Sequence, residues 1–111
     1  MHLEQYQIQA HTTSVYPQAQ TFTALMHRAL GMASEAGEVC AVLNRVARDK
    51  HELMSEADKA KLVLEAGDVL WMLADLCTML GVSLEDVAQQ NLNKLAQRAL
   101  RDTLHGEGDA R

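Results

Sequence analysis

Glu65-Ala66-Gly67-Asp68-Val69 lies inside an apolar run from Leu62 to Leu80, and Glu35-Ala36-Gly37-Glu38-Val39 repeats its pattern upstream. At about 100° per residue, Leu62, Val69, Met72 and Leu76 all fall within about 60° of Glu65. Asp68 stands at the border of that arc. The upstream copy has the same phase: Met32, Val39, Val42 and Val46 flank Glu35, and Glu38 takes the border position. Two hydrophobic helices therefore each carry an acid pair at the edge of the stripe that should face a neighbour.

Outward from these runs the chain reads as helix throughout. A short helix is predicted over about Leu3 to Thr13, closed by Thr12-Thr13-Ser14 and by Pro17, which biases its predecessor away from helix. A second is predicted from near Thr21 to about Arg48, with a bend at Gly31, and Asp49 to Met54 forms a polar connection. Ser55 has the features of an N-cap, with Asp58 completing a capping box, and Gly81 sits where a left-handed C′ residue belongs after Leu80. The helix between them would be about 36 Å long at 1.5 Å per residue. Ser83 and Asp86 repeat the cap signature before a fourth helix through Leu84, Val87, Ala88, Leu92, Leu95 and Leu100, ended by Gly106 and Gly108. No strand-like alternation occurs. The expectation is an all-α, antiparallel four-helix-bundle fold in one domain over residues 1–111.

Composition supports this and limits the function. The 111 residues are 48% hydrophobic with one proline, and the only aromatics are Tyr6, Tyr16, Phe22 and Trp71. A net charge of −5 offers no basic stripe for a nucleic acid. No uninterrupted apolar run of about 18 residues offers a membrane span. Cys40 and Cys77 lie in helical apolar patterns without zinc-like spacing, which reads as reduced core thiols of a cytoplasmic protein.

Packed face to face, the two helices would gather four carboxylates. Two unit charges about 5 Å apart repel by roughly 3 kcal/mol at an effective dielectric near 20. Protonation, basic partners or cations must offset this; alternatively Glu38 and Asp68 turn outward and the other two acids each pair with Arg or Lys. Oxygen-only ligands select hard cations, so Mg²⁺, or Mn²⁺ in its place, is the expected occupant. A di-iron site would need Glu-x-x-His motifs, and none of His2, His11, His27, His51 and His105 stands three residues after a glutamate.

The runs Gly31-Met32-Ala33-Ser34-Glu35-Ala36-Gly37-Glu38-Val39 and Glu65-Ala66-Gly67-Asp68-Val69-Leu70-Trp71 resemble the MazG-type all-α nucleoside triphosphate pyrophosphohydrolases, whose signature is E-E-x-x-E followed by E-x-x-D. The resemblance covers nearly the whole chain. Tyr6-Gln7 with Thr13 and Tyr16 is similar to the family's N-terminal segment. Asn91-Leu92-Asn93-Lys94-Leu95 with Arg98 is similar to its N-x-x-K-L-x-x-R helix, and Gly106-Glu107-Gly108-Asp109-Ala110-Arg111 to the G-x-G-D-x-R ending of small members. It implies that Glu35, Glu38, Glu65 and Asp68 bind Mg²⁺ and carry the catalysis. The product pair would be a nucleoside monophosphate and pyrophosphate. Ser34 replaces the first glutamate of the signature and leaves the general base open; Asn44 stands where a lysine is common, with Arg45 beside it.

Asn91, Lys94 and Arg98 share one stripe of the fourth helix, which reads either as a phosphate contact or as a solvated polar face. Asp109 and Arg111 would fold back over the site or fray. Trp71 lies outside the main apolar arc, where it could stack on a nucleobase or fill a subunit interface. Apolar residues on both sides of the third helix exceed what one chain would cover, so the bundle is expected to be completed in a homodimer or a dimer of dimers. Two rivals stand beside this reading: hydrolysis of another phosphoanhydride such as phosphoribosyl-ATP, and a catalytically silent helical oligomerisation module.

Overall fold

The computed structural model of the protein describes residues 1–102 and 106–109. Four helices and no strand occur among them: α1 Leu3–His11, α2 Phe22–Asp49, α3 Glu56–Leu80 and α4 Leu84–Leu100. Each start has a local cause. The Thr21 side chain accepts the Ala24 N–H, Ser55 accepts Asp58 N–H and Ser83 accepts Asp86 N–H, which satisfies donors that a helix N-terminus leaves open. Gly81, at φ 71°, ends α3: its N–H donates to Thr78 and the Val82 N–H to Cys77. Only glycine takes that left-handed geometry without strain.

The α3 cap is also electrostatic. Asp58 accepts from Lys50 Nζ at 2.7 and 2.9 Å and from the Ser55 N–H at 2.9 Å. The Lys50 hydrogen bonds, then those from the Ser55 backbone and hydroxyl, hold its carboxyl at about 2 against an ordinary 3.8. A carboxyl depressed in the fold is protonated first in the unfolded chain. Its contribution is therefore complete above about 3.8 and is lost as pH falls toward about 2. Urea-unfolding midpoints should drop across that window. Ser55→Ala should flatten the acid limb and lower neutral-pH stability by about 1 kcal/mol; an unchanged limb would show that the cap does not hold the proton off.

α2 and α3 run antiparallel along a common seam, and α1 lies across α3. The seam has a regular register. Arg28 meets Asp75, and one step on Gly31 meets Met72. Every step of three or four residues down α2 is matched by an equal step up α3. α2 passes through Gly31 without interruption. The glycine is there because the Met72 side chain occupies the space a Cβ would need. Gly37 and Gly67 face open space instead. Cys77 is buried, but Cys40 is exposed and is no core thiol.

α4 departs from the antiparallel arrangement. It turns from α3 by 101° and packs on α1 and α3 through Leu84 and Val87, with a groove between the three helices that reaches Asn91. Gln7 of α1 pins this corner, donating to Thr78 Oγ1 and Val82 O and accepting from the Leu84 N–H at 2.7 Å. The radius of gyration is 16.8 Å, where a compact chain of this length would have about 13 Å. No single helix among the described residues is long and apolar enough to cross a membrane.

Candidate metal centre

Continuing the seam register one step past Gly31 and Met72 brings Glu35 opposite Asp68, and one step further brings Glu38 opposite Glu65. The side chains largely follow the backbone. One carboxylate oxygen each of Glu35, Glu65 and Asp68 lies within 4.8 Å of the other two. Glu35 and Glu65 are half-buried and Asp68 is exposed. Glu38 is exposed and stands outside this trio, yet its charge reaches Glu35. Burial, followed by the charges of Asp68, Glu65 and Glu38, pushes the Glu35 carboxyl above its ordinary 4.5.

None of the four acids has a hydrogen bond or an ion pair with any described residue. The outward-turned alternative is met halfway: Glu38 and Asp68 are exposed, but Glu35 and Glu65 have no Arg or Lys partner. The donor set is all oxygen, anionic and convergent from two rigid helices, which fits a hard divalent cation. Tyr6 of α1 borders the cluster. Burial, and then the Asp68 charge, raises its phenol above 10.0.

A fifth acid on the same seam is treated quite differently. Asp75 and Arg28 are both fully buried, with Arg28 Nε donating to Asp75 Oδ2 at 2.8 Å. Ser14 Oγ donates to the same oxygen at 2.9 Å, and His11 Nδ1 lies 3.0 Å from Asp75 Oδ1. Burial pushes the Asp75 carboxyl up; the bonds from His11, Ser14 and Arg28, with the Arg28 charge, outweigh it and hold it below 3.8. From sequence Asp75 reads as either a support for Asp68 or an exposed acid, and no motif there pairs it with Arg28. The stripes alone carry a signal, since Arg28 lies two turns before Glu35 and Asp75 two turns after Asp68.

Of the remaining expected residues, Trp71 stands one turn from Asp68 on α3, and the others lie on α4 and in the segment after it. The Trp71 indole N–H donates to Ala10 O at 3.1 Å and Thr13 Oγ1 at 2.8 Å, and its ring lies 6.2 Å from that of Tyr16. It packs on its own α1 and the residues that follow. On α4, Asn91 is exposed, whereas Arg98 is buried. Lys94 and Arg98 both reach Asp109 Oδ1 at 3.1 Å, so Asp109 folds back onto α4. Those bonds, Lys94 first, hold the Asp109 carboxyl below its ordinary value. Arg111 lies outside the described residues.

Comparisons with known proteins converge on one relationship. The family model for the MazG nucleotide pyrophosphohydrolase domain matches residues 20–100, which hold α2, α3 and α4. Gene 37 protein of Mycobacterium phage L5 is 38% identical over 114 residues, spanning 100% of both chains. Uncharacterized protein YvdC of Bacillus subtilis (strain 168) is 36% identical over 72 residues, covering 60% of this chain and 68% of YvdC. No solved structure gives a significant match.

Proposed function

Because the chain belongs to the MazG nucleotide pyrophosphohydrolase domain family, we propose that it hydrolyses (deoxy)nucleoside triphosphates to the monophosphate and pyrophosphate in the cytoplasm, as a single Mg²⁺-dependent domain. One contrast carries the reading. Asp75 on the α2–α3 seam is neutralised from within by Arg28, while Glu35, Glu38, Glu65 and Asp68 on the same seam have no counter-charge among the described residues. An internal cation was available to this fold and was not used there, which leaves the acids to an external one.

Glu35, Glu65 and Asp68 would hold the ion, with Glu38 joining by a change of rotamer. When bound, Mg²⁺ supplies charge neutralisation of the phosphates and a lowered water pKa. The protein's own share is positioning: two rigid helices fix the carboxylates, and one of these glutamates would accept the proton of the attacking water.

The cations for the triphosphate come, in this reading, from a second copy. Twelve residues separate Asp68 from the end of α3, and Lys94 lies ten further along α4 beyond the 101° turn, which puts it about 20 Å from the acids of its own chain. Phe22, Leu30, Val63, Leu64, Leu92 and Leu100 are all exposed, and an apolar groove between α2 and α3 is lined by Ala36, Val39, Cys40, Ala66 and Val69. Homodimerisation, or a dimer of dimers, would cover these faces and deliver Asn91 and Lys94 of one copy to the acids of another, with the buried Arg98 holding Asp109 beside Lys94.

The test is pyrophosphate release over a panel of dNTPs, NTPs and phosphoribosyl-ATP, with and without Mg²⁺. Metal-dependent release from nucleoside triphosphates is expected. Silence across the panel with both Mg²⁺ and Mn²⁺ would leave the oligomerisation module standing.

A further inference from the structure

The Arg28–Asp75 pair does more than bridge α2 and α3. Asp75 takes hydrogen bonds from three separate stretches: His11 at the end of α1, Ser14 in the 12–21 connection, and Arg28 on α2. Arg28 in turn reaches the connection again, donating from its Nη1 to Pro17 O at 2.6 Å, with its guanidinium 5.4 Å from the centre of the Tyr16 ring. Besides these bonds the connection is held through Thr13 and Tyr16, which both meet Trp71. Val15 is 90% exposed, and residues 17–21 are all exposed.

What this anchor restrains lies beside the acids. Tyr16 is carried to the flank of the seam, its hydroxyl 3.7 Å from the point where a Cβ on Gly31 would sit, one turn from Glu35. Tyr6, on the helix that His11 terminates, stands close enough to Asp68 to feel its charge. A nucleotide seated on the acids would have these two phenols along one side.

We propose that Asp75 is a positioning residue of the acid site: through its bonds from His11, Ser14 and Arg28 it holds α1 and the 12–21 connection against the α2–α3 seam and so sets substrate affinity at acids two turns away. It touches neither the metal ligands nor the substrate. The effect belongs to the fraction of molecules with the segment seated, because apparent affinity falls in proportion to the population able to bind. The proposal rests on the acid cluster being the reaction site.

Ser14→Ala removes one donor to Asp75 and leaves the ion pair and all four acids intact; Ser14→Thr returns the hydroxyl. In the full-length protein, Ser14→Ala should raise KM for the best nucleotide of the panel by about five- to tenfold, with kcat within about twofold. The Mn²⁺ dissociation constant, measured by calorimetry without nucleotide, should stay within about twofold, since the ligands sit on undisturbed helices. Trp71, the only tryptophan, should shift its emission to the red as its bonds to Ala10 and Thr13 loosen. Ser14→Thr should restore KM and emission together, which a loss of global stability alone would not produce. Parental KM and emission in Ser14→Ala would overturn the proposal. So would a Mn²⁺ affinity that falls in step with KM, because the network would then be shaping the helices themselves. A parent protein inactive on every nucleotide strikes the functional reading, whereas an active parent with indifferent Ser14→Ala kinetics strikes the anchor alone.

Discussion

Glu65→Gln should lose Mg²⁺-dependent pyrophosphate release while making the metal-free protein more stable. A Glu65 oxygen lies within 4.8 Å of both Glu35 and Asp68, with no cation between them among the described residues. Each such contact is worth roughly 3 kcal/mol of repulsion at an effective dielectric near 20. Partial exposure screens most of that, so relief of about 1 kcal/mol is a reasonable size, or several degrees in thermal midpoint. With the metal the sign reverses. One anionic ligand of three is gone, the Mg²⁺-induced rise in midpoint should vanish, and turnover should fall by at least about 10²-fold. Calorimetry with Mg²⁺, thermal melts with and without metal, and pyrophosphate release read the three effects separately. Retained turnover would remove Glu65 from the site. Lower stability of the metal-free variant would mean that the carboxylate has an internal partner after all.

The acid seam was legible because it is written twice. Each pair lies at the same helical phase, and phase is the one tertiary property a sequence states directly. Helix ends were legible for a similar reason: Ser55, Ser83 and Gly81 act on groups within three or four residues, so the chemistry is local. The Arg28–Asp75 network was harder to see. One of three Arg residues on α2 and one of three Asp residues on α3 look like solvated charges until the register of the two helices is known. Glu38 shows the limit of phase: its backbone position faces Glu65, but a long, exposed side chain chooses its own rotamer.

The course of α4 was not legible at all. Caps say where helices stop, not at what angle the next one leaves, and the 101° turn is fixed by Gln7 bonding across to Thr78, Val82 and Leu84. Trp71 illustrates the same limit. Its phase outside the apolar arc reads as a nucleobase platform or a subunit interface, and what lies against it is α1 and Thr13 just beyond, through bonds to Ala10 and Thr13. Long-range polar contacts of this kind have no periodicity to betray them.

Asp75→Ala should be the most damaging single substitution for stability. It leaves the Arg28 guanidinium fully buried without its counter-ion, and breaking a buried pair from one side costs about 3–5 kcal/mol. A domain of this size has about 5–15 kcal/mol in total, so at least about a fifth of the stability would go, and denaturant unfolding should show it as an earlier midpoint. Removing both charges is a different experiment. Arg28→Met with Asp75→Leu fills the same space with apolar side chains and avoids two desolvation costs; such replacements are often neutral or stabilising. The double variant should therefore recover most of the lost stability. It should not recover substrate affinity, because His11 and Ser14 lose their common acceptor and Pro17 its donor. Stability restored with KM still raised would separate holding the helices together from seating the segment beside the acids. If both return together, the ion pair matters only as packing.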